Sequence, residues 1–204
     1  MESVMVNYFE QMYKAGTIDT EALEETLQAI SPSVTEEMNI SLCSQYSCEE
    51  VKEALFQMYP TKSPRPDGMP PLFFQHYWES IGADITAAVH NFLQTGQLLK
   101  QINFTHICLI PTVNSPETMA DLHPITLCNV IYKLCSKVIA NRLKVILPQI
   151  ISPFQSAFIP GRLITDNTLA ANKLAHFIHN KRAGEEFMAL KLDLSKAYDR
   201  LEWG

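Results

Sequence analysis

A proline-rich segment fixes where regular structure has to stop in this chain. The stretch TKSPRPDGMPP, residues 61–71, holds four prolines and one glycine in eleven positions. Proline lacks a backbone N–H and fixes its own φ, and the residue before each proline is kept out of the helical region. We therefore predict an irregular loop here, with helical segments before and after it.

The segment before this loop has the pattern of a capped helix. Ser47 and Glu50 stand at the spacing of a capping box, in which each side chain bonds the other residue's backbone N–H. Val51, Leu55 and Met58 then fall on one helical face. We expect that face to be buried.

Two further helices are predicted from the same kind of pattern. Residues 19–30 carry apolar side chains at helical spacing, and Asp19 can serve as the N-cap. Residues 72–93 form a longer apolar pattern, which we expect to break near Gly82 and to stop at Gly96 in the C′ position.

Two short segments in the middle of the chain favour strands. Residues 104–111 and 122–128 are partly β-branched, and the turn-forming sequence VNSPETMAD lies between them. We predict a two-stranded β-ribbon. An edge position would accommodate Pro124, which has no N–H to donate.

Residues 130–147 give a strong helical pattern. The positions expected to face inward are Ile131, Leu134, Val138 and Val145, and the opposite stripe holds Lys133, Lys137 and Lys144. Arg142 falls inside the apolar arc. Its side chain must therefore snorkel to solvent, pair with an acid or reach a ligand.

The C-terminal segment predicts one helix and one strand. Residues 168–182 are helical in pattern. In FMALKLDLS, apolar residues at 188, 190, 192 and 194 alternate with smaller or polar ones, so a strand would turn Asp193 away from the buried face. The following tail starts another helix.

Composition excludes several classes of protein. Hydrophobic residues make up 47% and charged residues 19% of the 204 residues, which is typical of a globular chain and not of a disordered one. We find neither an apolar run of membrane-spanning length nor a signal peptide, so we expect an intracellular protein with no membrane partner. The five cysteines include no CxxC pair, which favours reduced packing residues over a zinc site or disulfides.

Charge is unevenly distributed along the chain. The formal net charge is −6, but residues 1–60 hold 11 acids and two bases, whereas residues 128–200 hold 11 bases and five acids. The basic part could face a polyanion such as a nucleic acid. A lysine stripe on a helix is also typical of an ordinary solvated face, and both interpretations stay open.

Asp193 is the residue best placed for metal chemistry. A carboxylate at the end of an apolar strand can hold Mg²⁺, which prefers hard oxygen ligands. The alternative is that Asp193 caps the helix that begins near Ser195. His176 and His179 also have a metal-compatible spacing, but we reject a site there because the pattern offers no third ligand.

Five ordered blocks resemble reverse transcriptases of non-LTR (LINE-type) retrotransposons. They are KSPRPDGMPPLFF, ICLIP, LHPITLCNVIYKLCSKVIANRLK, QSAFIPGRLITDN and LKLDLSKAYDRLEW. The resemblance implies a helix-rich α+β fold with the fingers and first palm strand of a right-hand polymerase, whose palm is incomplete. It further implies a helical extension over 1–46, a fingers-like region over 47–185, and the palm strand with the start of its helix over 186–204.

The resemblance also implies roles for particular residues. Asp193 matches the first catalytic metal ligand of the family, with Mg²⁺ as the cofactor and the Leu194 carbonyl as a second contact. Tyr198 matches the aromatic that lies under the incoming dNTP and excludes a 2′-hydroxyl. The expected partners are an RNA template and a DNA primer.

Two other matched residues fall in the block that resembles the template and nucleotide grip. These are Gln155 and Arg162. Arg162 follows Pro160-Gly161 and could reach a phosphate as a bidentate donor, or it is a solvated loop charge. Lys133, Lys137, Lys144 and Arg142 are the candidate contacts to the nucleic-acid backbone.

Three positions depart from the family pattern. Arg65 stands where the family usually has glycine, and we expect it to strain the loop, although a phosphate contact is the alternative. Thr112 and His123 replace a lysine and an arginine that would face the triphosphate. Losing both cations would weaken nucleotide binding by about 3 to 6 kcal/mol.

The second metal-binding motif of the family, an aromatic-x-Asp-Asp hairpin, does not occur in these 204 residues. Two-metal transfer needs carboxylates from different strands around ions about 3.5 to 4 Å apart. We therefore expect this fragment to be inactive alone. The alternatives are a non-catalytic nucleic-acid-binding or interaction module, a decaying retroelement relic, or an enzyme half that a separate chain completes.

Overall fold

The computed structural model describes residues 2–14, 16–62, 65–180 and 187–193. Its helices are α1 Glu2–Tyr13, α2 Thr20–Gln28, α3 Glu36–Cys43, α4 Cys48–Phe56, α5 Pro71–His76, α6 Trp78–Thr95, α7 Lys100–Asn103, α8 Val130–Ile150 and α9 Ile164–Asn180. Strands β1 His106–Pro111 and β2 Leu122–Leu127 form the sheet, and a 3₁₀ turn spans Met119–Asp121. The predicted helix-rich α+β class is confirmed.

The described residues divide into two compact units. One contains residues of Met1–Ser33 and Gln149–Gly204, and the other is Val34–Pro148. The predicted division at residues 46 and 185 rests on the family resemblance and stays a prediction. Within the described ranges, no helix combines the length and the apolar character needed to cross a lipid bilayer.

The unit Val34–Pro148 has a core built from α4, α5, α6 and α8. The fully buried side chains include Val51, Leu55, Val89, Leu134 and Val138, each at most 1% exposed. Burying each such side chain contributes about 1.5 to 3 kcal/mol to stability. The faces predicted for α4 and for the first half of α8 are therefore the ones that pack.

The capping box at the start of α4 forms as predicted. The N–H of Glu50 donates to Ser47 Oγ at 3.1 Å, and the N–H of Ser47 donates to Glu50 Oε2 at 2.8 Å. Asp19 likewise caps α2 by accepting from the Ala22 N–H at 3.1 Å. Local patterns thus place these helix starts correctly.

The break expected near Gly82 lies instead at Tyr77, between α5 and α6. Gly82 sits inside α6 under the ring of Trp78, and a Cβ there would lie 2.7 Å from the ring carbon Cε2. Glycine is needed at this position for close packing and not for a bend. Gly96 ends α6 with φ at 69°, as predicted.

The predicted β-ribbon is confirmed. β1 and β2 pair antiparallel, with His106 opposite Leu127 and Leu109 opposite Pro124. In the described part of the chain the sheet has two strands, so both are edges and Pro124 occupies the position that its missing N–H requires.

Our prediction was wrong for one residue of α8, which is exposed instead of buried. Val145 is 72% exposed, whereas the next residue, Ile146, is buried. The core cluster contains no α8 residue beyond Val138 among those described. Ile146 is buried outside this cluster, so the side of α8 that is covered beyond Val138 differs from the one that the period predicts.

The strand predicted within FMALKLDLS, residues 187–195, is not formed over residues 187–193, the part of it that the structure describes. Met188, Leu190 and Leu192 are 85%, 72% and 83% exposed. A strand is stable only when its backbone pairs with a neighbour, and no described strand lies beside this segment. Helix α9 is confirmed and begins four residues earlier than predicted.

Candidate nucleic-acid interface

The lysine stripe lies on α8 as the period predicts. Lys133 and Lys137 are half-buried, and Lys144 is exposed. Burial lowers the pKa of Lys133, and the nearby cations of Arg65 and Lys62 lower it further. Burial also lowers the pKa of Lys137, with an additional contribution from Lys144. Burial is thus the main cause for both lysines, and neighbouring cations add to it. A bound anion would favour the charged form of each lysine.

Arg142, in contrast to the lysines of the stripe, points into the protein. Its side chain is 11% exposed, and Nε and Nη2 donate to the Glu50 carboxylate at 2.8 and 3.0 Å. The remaining N–H groups donate to the carbonyls of Leu42, Ser44 and Gln45. All five donors thus have protein acceptors, so the structure supports acid pairing and not the predicted nucleic-acid contact.

A groove of about 410 Å³ lies next to this ion pair. Its walls carry Glu50, Glu53 and Gln57 from the side of α4, and Asn141, Lys144 and Val145 from α8. Two carboxylates in the wall disfavour a phosphate in this groove. Of the three stripe lysines, Lys144 therefore has the least favourable surroundings for a phosphate.

Arg162 also binds its own part of the chain. Its guanidinium donates to the carbonyls of Ser152, Gln155 and Ile151, the last two at 2.7 and 3.1 Å. Neither alternative from the sequence anticipated this internal role, which follows from the tight turn before Arg162. Gln155 is exposed.

The loop that Arg162 organises presents two aromatic side chains that the sequence analysis did not single out. Phe154 is 86% exposed and Phe158 is 97% exposed. Phe158 has φ at 62°, and among the described residues it is the one non-glycine residue with positive φ. A bulky residue in that region is strained. No pattern in the sequence signals this conformation.

Asp193 is exposed in the structure. Among the described residues, no group of three His, Cys, Asp or Glu side chains could hold a metal ion. Leu194 and Tyr198 lie outside the described residues, so their roles stay predictions. The described part of the chain therefore does not bring together the ligands of the implied Mg²⁺ site.

Arg65 is buried rather than strained. It is 7% exposed, its Nη1 donates to the Cys128 carbonyl, and its φ is not positive. The expectation of strain was therefore wrong, because the backbone here does not adopt the conformation that needs glycine. Arg65 instead links the proline-rich loop to Cys128, two residues before α8.

Asn129 is a structural residue that we did not predict. It is 5% exposed, and its Nδ2 donates to the carbonyls of Gln101, Ile102 and Phe104 at 3.1 to 3.4 Å. Its own carbonyl accepts from the Lys133 N–H in the first turn of α8. No local pattern signals this role, because the carbonyls that Asn129 bonds are 25 to 28 residues away in the sequence.

Part of the chain is similar to a known protein family. Residues 113–204 match the family described as reverse transcriptase (RNA-dependent DNA polymerase). This segment is similar to reverse transcriptases. It is also 30% identical over 196 residues to a Xenopus laevis protein named "Transposon TX1 uncharacterized 149 kDa protein". That alignment covers 96% of this chain, and the chain spans 15% of the length of the Xenopus protein.

The reverse transcriptase match covers the lysine stripe, the Arg162 loop and Asp193. Two of the three departures from the pattern of the resembling family lie in or beside the ribbon: His123 is in β2, and Thr112 directly follows β1. His123 is opposite Ile110, and the Thr112 hydroxyl donates to the Asp121 carbonyl at 2.7 Å. The bond from its hydroxyl gives Thr112 a role in the turn between β1 and β2 that a lysine side chain would not supply.

Proposed function

We propose that this chain is the fingers region and the beginning of the palm of an RNA-directed DNA polymerase from a LINE-type retroelement. One observation carries the proposal: the five sequence blocks occur in order, and the last three lie in the segment that matches reverse transcriptases. The substrates are an RNA template, a DNA primer and a dNTP.

In this proposal Asp193 is the first metal ligand, and Tyr198 selects against a ribonucleotide. Mg²⁺ would neutralise phosphate charge during nucleotidyl transfer. The described residues do not by themselves fit a complete two-metal site, because no three of their His, Cys, Asp or Glu side chains come together. We therefore assign no catalytic step to these residues.

The 204-residue chain should not extend a primer by itself. The test is a primer-extension assay with a primed RNA template, Mg²⁺ and dNTPs, with an active reverse transcriptase as the positive control. We expect no extension by this chain. Any template-directed product from the purified chain would contradict this expectation.

A complementation assay tests the polymerase assignment directly. The chain is mixed with a separate palm–thumb fragment that carries the aromatic-x-Asp-Asp motif but lacks the first aspartate. We expect extension only in the mixture, and no extension when the chain carries Asp193→Asn. Extension that persists with Asp193→Asn would rule out Asp193 as the metal ligand.

A non-catalytic nucleic-acid-binding module is the second candidate. The basic balance of residues 128–200 and the lysine stripe on α8 favour it. Both candidates predict salt-dependent binding of single-stranded RNA, and they differ in the complementation assay. A decaying relic predicts no affinity above background at low salt.

A further inference from the structure

Helix α2 is an amphipathic helix that no described part of the chain covers. Every residue of Thr20–Gln28 is exposed, and Leu23 and Leu27 are 47% and 59% exposed. These two leucines are four residues apart and therefore lie on one face. Ile30, which is 62% exposed, adds a further apolar side chain just after the helix end. A helix normally buries such a face against another surface.

A helix of this length needs support from packing. Isolated helices shorter than about 12 to 15 residues are marginal in water, and α2 has nine residues. Its N-cap, Asp19, accepts from the Ala22 N–H but covers no apolar surface. A second surface that covers Leu23 and Leu27 would therefore stabilise α2.

The charge of α2 restricts what that surface can be. The charged residues of the helix are Glu21, Glu24 and Glu25, and it contains no lysine or arginine. None of the ion pairs between described residues involves these glutamates. A complementary surface is therefore apolar with basic side chains beside it.

The outward face of α8 has this composition. The helix contains Lys133, Lys137 and Lys144 and no acidic residue, and no ion pair of the described chain uses these lysines. Leu143 is 38% exposed and Leu147 is half-buried. Leu147 is three residues from Lys144 and four from Leu143, so apolar and basic side chains adjoin on this side of the helix.

Charge complementarity favours α8 over α9 as the docking face. Helix α9 also has exposed apolar side chains, among them Leu169 and Leu174 at 59% and 56%. Its one lysine, Lys173, is balanced by its one aspartate, Asp166. An acidic helix is therefore attracted more strongly to α8.

We infer that α2 of one copy of this chain docks on the outward face of α8 of a second copy. The leucines of α2 pack on those of α8, and its glutamates pair with the lysine stripe. Every copy carries both faces, so the chain itself supplies both partners of this heterologous contact. The contact requires no nucleic acid and does not rest on the proposed function.

Sedimentation velocity of the full chain tests this association. The lysines of α8 are also the candidate contacts to nucleic acid, so the measurement is made in its absence. Between about 1 and 100 μM chain, we expect the sedimentation coefficient to rise with concentration. The rise should be smaller at about 500 mM than at about 50 mM salt, because salt screens exposed charges. A monomer at every concentration at low salt would overturn the inference.

A change of one exposed leucine locates the apolar part of the contact. Leu27→Ser should raise the apparent Kd of self-association at least about tenfold, because it removes buried apolar area. Leu99→Ser is the matched control, since Leu99 is 69% exposed and lies outside both faces. Equal Kd values for the wild type and Leu27→Ser would overturn the inference.

Charge reversal tests the pairing of the two helices. One variant has all three glutamates of α2 changed to Lys, and the other has Lys133, Lys137 and Lys144 changed to Glu. Each variant alone should remain monomeric, because like charges then meet. A mixture of the two should associate, because the reversed α2 of one fits the reversed α8 of the other.

The mixture has its own control for non-specific attraction between unlike charges. Leu27→Ser, added to the variant with the reversed α2, should abolish association in the mixture. Association that survives this change, or a mixture that stays monomeric although the wild type associates, would overturn the assignment of the contact to α2 and α8.

Discussion

Arg142 joins two segments of the chain that are far apart in sequence. Its guanidinium bonds the carboxylate of Glu50, 92 residues away, and its Cζ lies 3.5 Å from the centre of the Tyr46 ring. Glu50 also serves the capping box of α4. One side chain thus holds the start of α4, the segment before it and α8 together.

Arg142→Lys should therefore destabilise the chain, because an ammonium group cannot make five bonds in a fork. We expect a loss of about 2 kcal/mol of unfolding free energy, less than the ~3 to 5 kcal/mol of fully buried pairs, because Glu50 is partly exposed. Urea unfolding measures this loss of unfolding free energy. Lys144→Gln on the same helix is the control, and equal stability of both variants would contradict the assigned role.

Acid should weaken the same pair. The hydrogen bond from Arg142 holds the pKa of Glu50 below its ordinary value of about 4.5. The stabilisation is therefore complete above that value and is lost as the pH falls through the lowered pKa of the folded state. In urea unfolding, the stability difference between wild type and Glu50→Gln should shrink below about pH 4.5. A constant difference down to pH 3 would contradict this.

The buried thiol of Cys135 should be unreactive in the folded chain. Burial raises its pKa to about 11, whereas Cys43 and Cys108 are exposed. At pH 8 about one Cys135 in a thousand would then be a thiolate. Titration with a thiol reagent should show slow reaction of Cys135 until guanidinium unfolds the chain. Rapid modification of Cys135 in the folded state, located by mass spectrometry, would contradict its burial.

Among the elements, α6 depends on one glycine for its packing. A Cβ at Gly82 would lie 2.7 and 2.9 Å from two ring atoms of Trp78, and Trp78 is buried, so the ring has no free space to move into. This contact explains why the helix continues through Gly82 although glycine disfavours helices.

Gly82→Ala should consequently destabilise the chain despite alanine's higher helix propensity. Overpacking costs about 1 to 3 kcal/mol and the propensity gain is about 1 kcal/mol, so we expect a net loss of up to about 2 kcal/mol in urea unfolding. Ser80→Ala in the same helix provides the control. A gain in stability from Gly82→Ala would show that the Trp78 ring is not fixed.

Elements whose signals are local were predictable. The capping box of α4, the cap of α2, the ribbon and the left-handed Gly96 all follow from patterns within a few residues. The partners of Arg142 and the burial of Arg65 were not, because both depend on residues more than 60 positions away. The prediction of a strand in FMALKLDLS was wrong over residues 187–193 for the same reason. Alternation specifies a strand but not the neighbouring strand that it must pair with.

For the whole molecule, the separation of charge is the property that links sequence to function. The acidic residues concentrate in residues 1–60 and the basic ones in residues 128–200. The net charge of −6 does not show this separation of acidic and basic residues. From the sequence, the candidate nucleic-acid interface could be predicted only as a region of the chain. Arg142 and Arg162 turned out to bind the protein itself, which reduces the candidate phosphate contacts to fewer cations than the sequence suggested.

The central claim is that the basic part of this chain holds nucleic acid through the lysines of α8. The most direct measurement is the affinity of the chain for a fluorescent single-stranded RNA between about 50 and 200 mM salt, with Lys133, Lys137 and Lys144 all changed to Glu in the comparison variant. We predict that wild-type affinity falls steeply with salt and that the variant loses most of its affinity at every salt concentration. Equal affinities for both proteins, or no binding by the wild type at low salt, would contradict the claim.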